Sequence, residues 1–283
     1  MLMKFTCTII LLLAFTLGFS QNQSNSYQND RKGQLYFYWG WNWGWYSKSN
    51  IHFKGPDYDF TLDKVSAKDR QGKFDANIYL NPMNATIPQY NFRVGYFINN
   101  NYNVSFGIDH MKYVMAADQL VKISGEISNA GTKYDGFYDN DDIIIEEDFL
   151  RFEHTDGLNY VNLEFRRFDK LFAWKKISLN ITEGLGAGIL YPKTNTLLFN
   201  REVHDEFHLS GFGLSAVVGI NITFFKYFFI QTEFKGGYIN MPDIEISSSN
   251  SEKANQDFFF SQLNVVFGAS INLQDKKTKA DKN

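Results

Sequence analysis

The segment EFHLSG at residues 206–211 contains the residue types from which a hydrolytic site is built. Glu206, His208 and Ser210 stand at alternate positions, so in an extended strand their side chains point to the same face. A serine hydroxyl becomes a nucleophile when a histidine accepts its proton and an acidic group orients that histidine. The row continues into Phe212, so we predict that all three side chains face outward. Because such side chains start about 6.6 Å apart along a strand and no second motif supports the group, we expect it to be non-catalytic.

The elements that must position this group are strands. Eight stretches of the chain alternate apolar and polar residues with the period of two that is typical of half-buried strands. Short turns are predicted near residues 99–101, 168–174 and 224–227, and long connections near residues 48–87, 116–157, 192–207 and 241–256. Short turns at one end and long loops at the other are typical of transmembrane β-barrels, whose long loops are extracellular. We therefore predict an all-β fold over residues 34–273: an eight-stranded antiparallel up-and-down transmembrane β-barrel with short periplasmic turns and long extracellular loops.

The first predicted strand carries four of the five tryptophans on one face. These are Trp39, Trp41, Trp43 and Trp45. Indole rings are enriched where a membrane meets water, because the ring is apolar and its N–H is polar. We predict that this row faces lipid. A sugar-stacking platform above the membrane is the alternative for the same residues.

The polar rows of the predicted strands are rich in glycine and contain charges of both signs. Such charges can pair across a narrow lumen, where an isolated charge is costly. A barrel of eight strands encloses a space that side chains can fill. The predicted interior polar network consists of Tyr36, Tyr38, Arg93, Glu164, Arg166, Glu233 and Lys235. Glu183 falls on an apolar row instead, and we expect a β-bulge to rotate it away. A soluble lipocalin-like calyx, in which the apolar rows would line the cavity, is the alternative architecture.

The N-terminal segment has the features of an export signal. Lys4 precedes an apolar run, and small residues end at Ser20, so we predict a signal peptide over residues 1–20 and a polar linker over 21–33. Residues 274–283 are predicted to be a charged periplasmic tail. The one cysteine lies in the signal, so the exported chain has no disulfide. A net charge of −3 without a basic cluster argues against nucleic-acid binding.

The long connection at 116–157 contains 11 acidic and three basic residues. Its spacing does not match an EF-hand, and the histidines lack metal-ligand spacing. We find no phosphate-binding glycine loop and no haem motif, so we expect neither a metal nor a cofactor. A solvated acidic loop is our interpretation, and a loosely bound divalent cation that bridges lipopolysaccharide is the alternative.

Over residues 34–273 the chain resembles the small eight-stranded outer-membrane barrels of the OmpA/OmpX kind. Its Phe-, Tyr- and Asn-rich sequence also resembles uncharacterised outer-membrane barrels of Bacteroidetes. An even number of strands leaves both termini on the periplasmic side, opposite the extracellular loops. We expect a monomer in the outer membrane, surrounded by lipid and lipopolysaccharide. We also expect a structural or surface-interaction role for the loops rather than an open pore, and the sequence identifies no extracellular ligand.

The His208–Leu209–Ser210 pattern also resembles the lipid A 3-O-deacylase family of eight-stranded barrels. In that family a histidine is the base for a serine nucleophile that attacks an acyl ester of lipopolysaccharide. Carried over, Ser210 is the nucleophile, His208 the base and Glu206 a local stand-in for the acid. Gly211 departs from the asparagine that the family has after its serine. A lipid A acyl-ester hydrolase acting at the outer leaflet is therefore the alternative function.

Overall fold

The computed structural model describes residues 31–72, 75–79, 88–203, 206–247 and 251–273. The predicted signal peptide, the predicted tail and most of the predicted linker lie outside these residues. The described chain forms one short helix, α1 (Ala76–Tyr79), and no described helix is long and apolar enough to cross a membrane. Its strands are β1 (Gln34–Tyr46), β2 (Ser49–Gly55), β3 (Tyr58–Val65), β4 (Ala67–Lys68), β5 (Tyr90–Phe97), β6 (Tyr102–Met115), β7 (Leu120–Ile127), β8 (Gly136–Ile144), β9 (Leu150–Trp174), β10 (Ile177–Leu190), β11 (Asn195–Leu198), β12 (Arg201–Val203), β13 (Gly211–Phe224), β14 (Phe228–Glu245) and β15 (Lys253–Asn272).

Eight of these strands close into an antiparallel barrel, which confirms the predicted fold. The order around the barrel is β1-β5-β6-β9-β10-β13-β14-β15, and β15 pairs with β1 to close it. Following the register once around from Leu35 leads back to Trp45, ten positions along the same strand. For eight strands, this offset gives a strand tilt of about 40° and a climb of about 2.5 Å per residue. The wall between these two residues is thus about 25 Å tall, the height of a membrane barrel's apolar band.

The two faces of the barrel wall differ in polarity. Large apolar side chains such as Leu163, Leu185 and Phe234 are exposed on the outside, whereas the inward side chains are buried and mostly polar. This arrangement is the reverse of a calyx, whose apolar rows line its cavity, so the lipocalin-like alternative is wrong.

Glu183 stays on the outer, apolar row, which corrects the expectation of a bulge at that residue. It pairs with Arg167 on β9 and Val218 on β13 without a break in register. The irregularity between these strands lies lower, where Leu179 pairs with Phe172 and Asn180 with Lys170.

Above the apolar band, the sheet continues into a structure that we refer to as the head. The barrel strand β15 pairs with β2, and the sheet then proceeds through β3 and β7 to β8 at its edge. On the other side, β11 pairs with both β9 and β12. The head encloses an apolar core, whose fully buried aromatic members include Phe53, Phe60, Phe149 and Phe152. The interior therefore changes from polar within the band to apolar above it.

Candidate functional site

The predicted interior polar network lies together inside the barrel, and all seven of its side chains are buried. Arg166 is at its centre. The Arg166 Nε donates to Glu164 Oε2 at 2.5 Å, and its Nη1 donates to the Glu233 carboxylate. Its Nη2 donates to the Tyr38 hydroxyl at 3.1 Å, which also accepts from Arg93 Nε at 3.1 Å. The network is thus one connected group across the lumen.

Asp109 is a further member of the network, beyond the seven predicted residues. Lys235 Nζ lies 2.5 Å from Asp109 Oδ2 and 2.8 Å from Glu164 Oε1, and Arg93 Nη2 lies 3.0 Å from the same Glu164 oxygen. Three cations therefore face three carboxylates. The alternation of β6 places Asp109 on the same face as Asn103 and Ser105, so this signal was present in the sequence.

Much of the remaining interior space is filled by aromatic rings that need glycine beside them. The Tyr36 ring lies over Gly95, where a Cβ atom would come within 2.3–2.4 Å of the ring. The Tyr36 hydroxyl donates to Asn103 Oδ1 at 2.8 Å. Phe229 lies over Gly268 in the same way, with a closest approach of 2.2 Å to a built Cβ. The glycines of the polar rows therefore make room for the side chains that occupy the lumen.

The structure corrects the predicted orientation of the serine–histidine group. Ser210 is 1% exposed, whereas its neighbour Leu209 is 57% exposed and takes the outward direction. The strand β13 begins only at Gly211, so the alternation of the strand does not extend back to Ser210. The Ser210 backbone N–H donates to the Leu190 carbonyl at 3.0 Å, and His208 is half-buried. Glu206 is exposed, and its carbonyl oxygen lies 3.4 Å from Nδ1 of the imidazole.

The structure nevertheless brings the serine and the histidine into contact. Ser210 Oγ lies 2.7 Å from His208 Nε2. The same nitrogen lies 2.9 Å from the backbone nitrogen of Glu245, a donor, and 3.0 Å from the carbonyl oxygen of Asp243, an acceptor. The Glu245 carboxylate lies 3.8 Å from Nδ1. Because Nε2 lies against two backbone groups of β14 as well as the serine, it is not reserved for taking the serine proton. The contacts instead tie the segment before β13 to the end of β14.

The tryptophan row lies on the outer face of β1. Trp39, Trp41 and Trp43 are half-buried by neighbouring side chains, and Trp45 is exposed at the upper rim. Trp39 and Trp41 make an edge-to-face contact with ring centres 5.3 Å apart. Exposed or partly exposed aromatic residues form a belt at each rim, as in membrane barrels. The upper belt contains Trp45, Tyr191, Phe207, Tyr238 and Phe259, and the lower belt contains Tyr96, Trp174, Phe225 and Tyr227.

The acidic segment of the 116–157 connection forms the hairpin of β7 and β8. Asp139, Asp141 and Asp142 are exposed on β8, and Asp142 pairs with Lys122 at 2.9 Å. Within the part of the chain that the structure describes, no three His, Cys, Asp or Glu side chains converge as a metal site requires. The hairpin is therefore an acidic surface.

Comparisons with known proteins give similarity in structure alone. No protein-family model and no curated protein sequence matches the chain. Similar solved structures include OprG, an outer membrane protein of Pseudomonas aeruginosa, with 9% identity, a TM-score of 0.38 and coverage of 86% of this chain and 97% of that chain. Ail, the attachment invasion locus protein of Yersinia pestis, has 13% identity, a TM-score of 0.28 and coverage of 82% and 99%. The outer membrane protease OmpT of Escherichia coli has 10% identity, a TM-score of 0.33 and coverage of 87% and 100%.

Proposed function

We propose that this protein resides in the outer membrane with a closed lumen and acts at the cell surface through its head. The observation that carries the proposal is the double closure of the interior. The paired charges fill the lumen within the apolar band, and the apolar core of the head covers it above. A barrel closed at two levels leaves the surface of the head as the part that meets other molecules.

The membrane placement is tested by fractionation of cells that express the full chain. The apolar outer wall and its two aromatic belts support placement in a bilayer. We expect recovery with the outer membrane and a shift in gel mobility between unboiled and boiled samples. Recovery in the soluble periplasm would contradict the placement.

The surface of the head favours a cationic partner. The hairpin of β7 and β8 presents three exposed aspartates beside the exposed Phe137 and Leu120. Charge complementarity of this kind increases association rates and is weakened by salt. The partner that fits is therefore a basic peptide or protein segment with some apolar character.

A binding assay on proteoliposomes or on intact cells tests this surface role. The probe is a fluorescent lysine-rich peptide, and the variant is the triple substitution Asp139→Asn, Asp141→Asn and Asp142→Asn. We expect the variant to lose most of the salt-sensitive binding. The matched control removes the same charge from the neighbouring hairpin and should bind as the wild type does; it carries Asp57→Asn, Asp59→Asn and Asp63→Asn. Equal binding by all three proteins would refute a role for the β7–β8 hairpin.

A lipid A acyl-ester hydrolase is the second candidate, because Ser210 Oγ lies within hydrogen-bond distance of His208. The burial of the serine and the contacts of Nε2 with backbone groups of β14 argue against it. Purified protein is incubated with lipopolysaccharide, and the lipid A is analysed by mass spectrometry. We expect unchanged lipid A. Loss of an acyl chain with the wild type and with Ser124→Ala, but not with Ser210→Ala, would establish the hydrolase.

A further inference from the structure

A small cavity lies inside the barrel at the short-turn end, opposite the head. Its volume is about 30 Å³, which is room for roughly two water-sized atoms. The described residues that line it include three cations and no carboxylate. The cations are Arg31, Arg166 and Lys226, and neutral donors are supplied by Asn221, Gln231 and Ser270. The lining is therefore suited to an anion.

Arg31 is a buried cation that no described carboxylate contacts. Arg166 contacts two carboxylates in the interior network, whereas no described carboxylate lies within ion-pair distance of Arg31. Arg31 is only 6% exposed, and its guanidinium lies 4.6 Å from the centre of the Phe168 ring. A buried cation without a counter-ion is costly, so a partner for this charge is expected.

The described surroundings of Arg31 hold its guanidinium in place and use only part of its donors. Its Nη2 donates to Asn180 Oδ1 at 2.5 Å, and its Nη1 donates to the Asn100 carbonyl at 3.3 Å. These bonds use two of the five N–H groups of a guanidinium. Burial lowers the pKa of Arg31 to about 10, and the negative charge of Asp169 raises it, so the side chain keeps its charge at neutral pH.

We propose that this cavity, the Arg31 cavity, binds a carboxylate group presented from the periplasm. A guanidinium pairs with a carboxylate through two parallel hydrogen bonds, and the two carboxylate oxygens match the room in the cavity. The carboxylate comes either from a free small acid or from the C-terminus of a peptide.

Calorimetric titration of the full-length protein in detergent tests the proposal and separates the two sources. The probes are acetate and a tetraglycine peptide, with the C-terminally amidated peptide and inorganic phosphate as comparisons. We expect acetate or the free peptide to bind, and the amidated peptide, which lacks the carboxylate, to bind at least about tenfold more weakly. Tighter binding of phosphate than of either carboxylate, or no binding of any probe, would overturn the assignment. Binding of acetate alone identifies a free small acid, and tighter binding of the peptide identifies a peptide C-terminus.

Three variants decide whether the cavity is responsible. Arg31→Gln removes the charge, and Ser270→Leu fills the cavity without changing any charge, so both should abolish binding. Lys32→Gln removes an exposed charge from the adjacent position and should bind as the wild type does. The proposal is overturned if all four proteins bind alike, or if Lys32→Gln loses as much binding as Arg31→Gln. If Arg31→Gln does not fold, the comparison of Ser270→Leu with Lys32→Gln decides.

Discussion

At the residue scale, the closure of the lumen depends on complete pairing of buried charges. An unpaired ion buried in the lumen lowers the free energy of unfolding by more than a complete ion pair raises it, so the members of the cluster depend on one another. Glu164 shows this dependence, since both Arg93 and Lys235 contact the same oxygen of its carboxylate. The cluster is therefore a structural seal whose parts cannot be removed singly without a large cost.

Substituting Asp109→Asn tests this dependence. The change leaves Lys235 without its closest carboxylate, and Asn91 and Asn162 lose the charged acceptor to which their amides donate. We expect the free energy of unfolding to fall by about 3–5 kcal/mol, measured by urea unfolding in lipid vesicles. The control Asp142→Asn breaks an exposed ion pair and should cost less than about 1 kcal/mol. Equal costs for the two variants would contradict a special role of the buried cluster.

His154 gives the head a stability that depends on pH. Its imidazole is fully buried among Tyr113 and Phe152, and Nδ1 contacts Thr194 Oγ1 at 3.0 Å. Burial, and then the nearby His208, lowers the pKa of His154 from 6.5 to about 3. Because the unfolded chain takes up this proton first, the stabilisation is complete above pH 6.5 and is lost as the pH falls towards 3. Relative to His154→Gln, the wild type should lose about 1.4 kcal/mol of unfolding free energy per pH unit below pH 6. Parallel pH profiles of the two proteins would show that His154 is not buried in its neutral form.

At the element scale, the eight barrel strands could be predicted from the sequence, whereas the strands of the head could be predicted only in part. The period of two runs through long strands such as β13, where tertiary contacts reinforce it. The strands β2 and β3 also alternate, with Phe53 and Phe60 inward, but each is short and was included in a predicted loop. The predicted outward orientation of Ser210 is wrong for a different reason. The alternation in the sequence is continuous, but the Ser210 backbone N–H donates to the Leu190 carbonyl, and the side chain turns inward. Such a contact is set by a distant part of the chain.

A bulge and a side-chain hydrogen bond protect the edge strand β8 from pairing with other chains. Asn140 adopts a positive φ of 60° at a break in register opposite Ser124, and its N–H donates to Ser124 Oγ at 3.1 Å. The N–H of Asp139 donates to Asp141 Oδ2 at 2.9 Å, so one potential edge donor is occupied. Bulges and charges of this kind discourage association between edges.

Deleting Asn140 should therefore promote self-association. The deletion straightens β8 and frees its backbone groups, so we expect a larger oligomeric fraction in detergent by sedimentation velocity. Asn140→Gly is the control, because glycine adopts the positive φ readily and keeps the bulge. A deletion variant that stays as monodisperse as this control would show that the bulge does not protect the edge.

At the scale of the whole molecule, two seals close the lumen: the charged cluster within the apolar band and the apolar core of the head above it. They could be predicted from the sequence to different extents. The charged residues of the interior could be found because each lies on the polar row of its own strand, as Arg93 and Lys235 do. The apolar seal could not be found in this way, because Met111 and Tyr160 lie on strands whose lower parts face a polar lumen. Whether an inward residue meets charges or an apolar core depends on its height in the barrel, which follows from register and tilt rather than from local pattern.

Two seals in series predict that the barrel does not conduct ions, even when one seal is damaged. In planar bilayers we expect no stable openings from the wild type, because side chains fill an eight-stranded lumen. Arg166→Ala removes the centre of the charged cluster, yet the apolar core of the head still covers the lumen, so this variant should remain closed as well. Steady openings in Arg166→Ala alone would mean that the charged cluster is the sole barrier and that the head does not seal. Large steady openings in the wild type would refute the closed lumen, and with it the surface role that we propose.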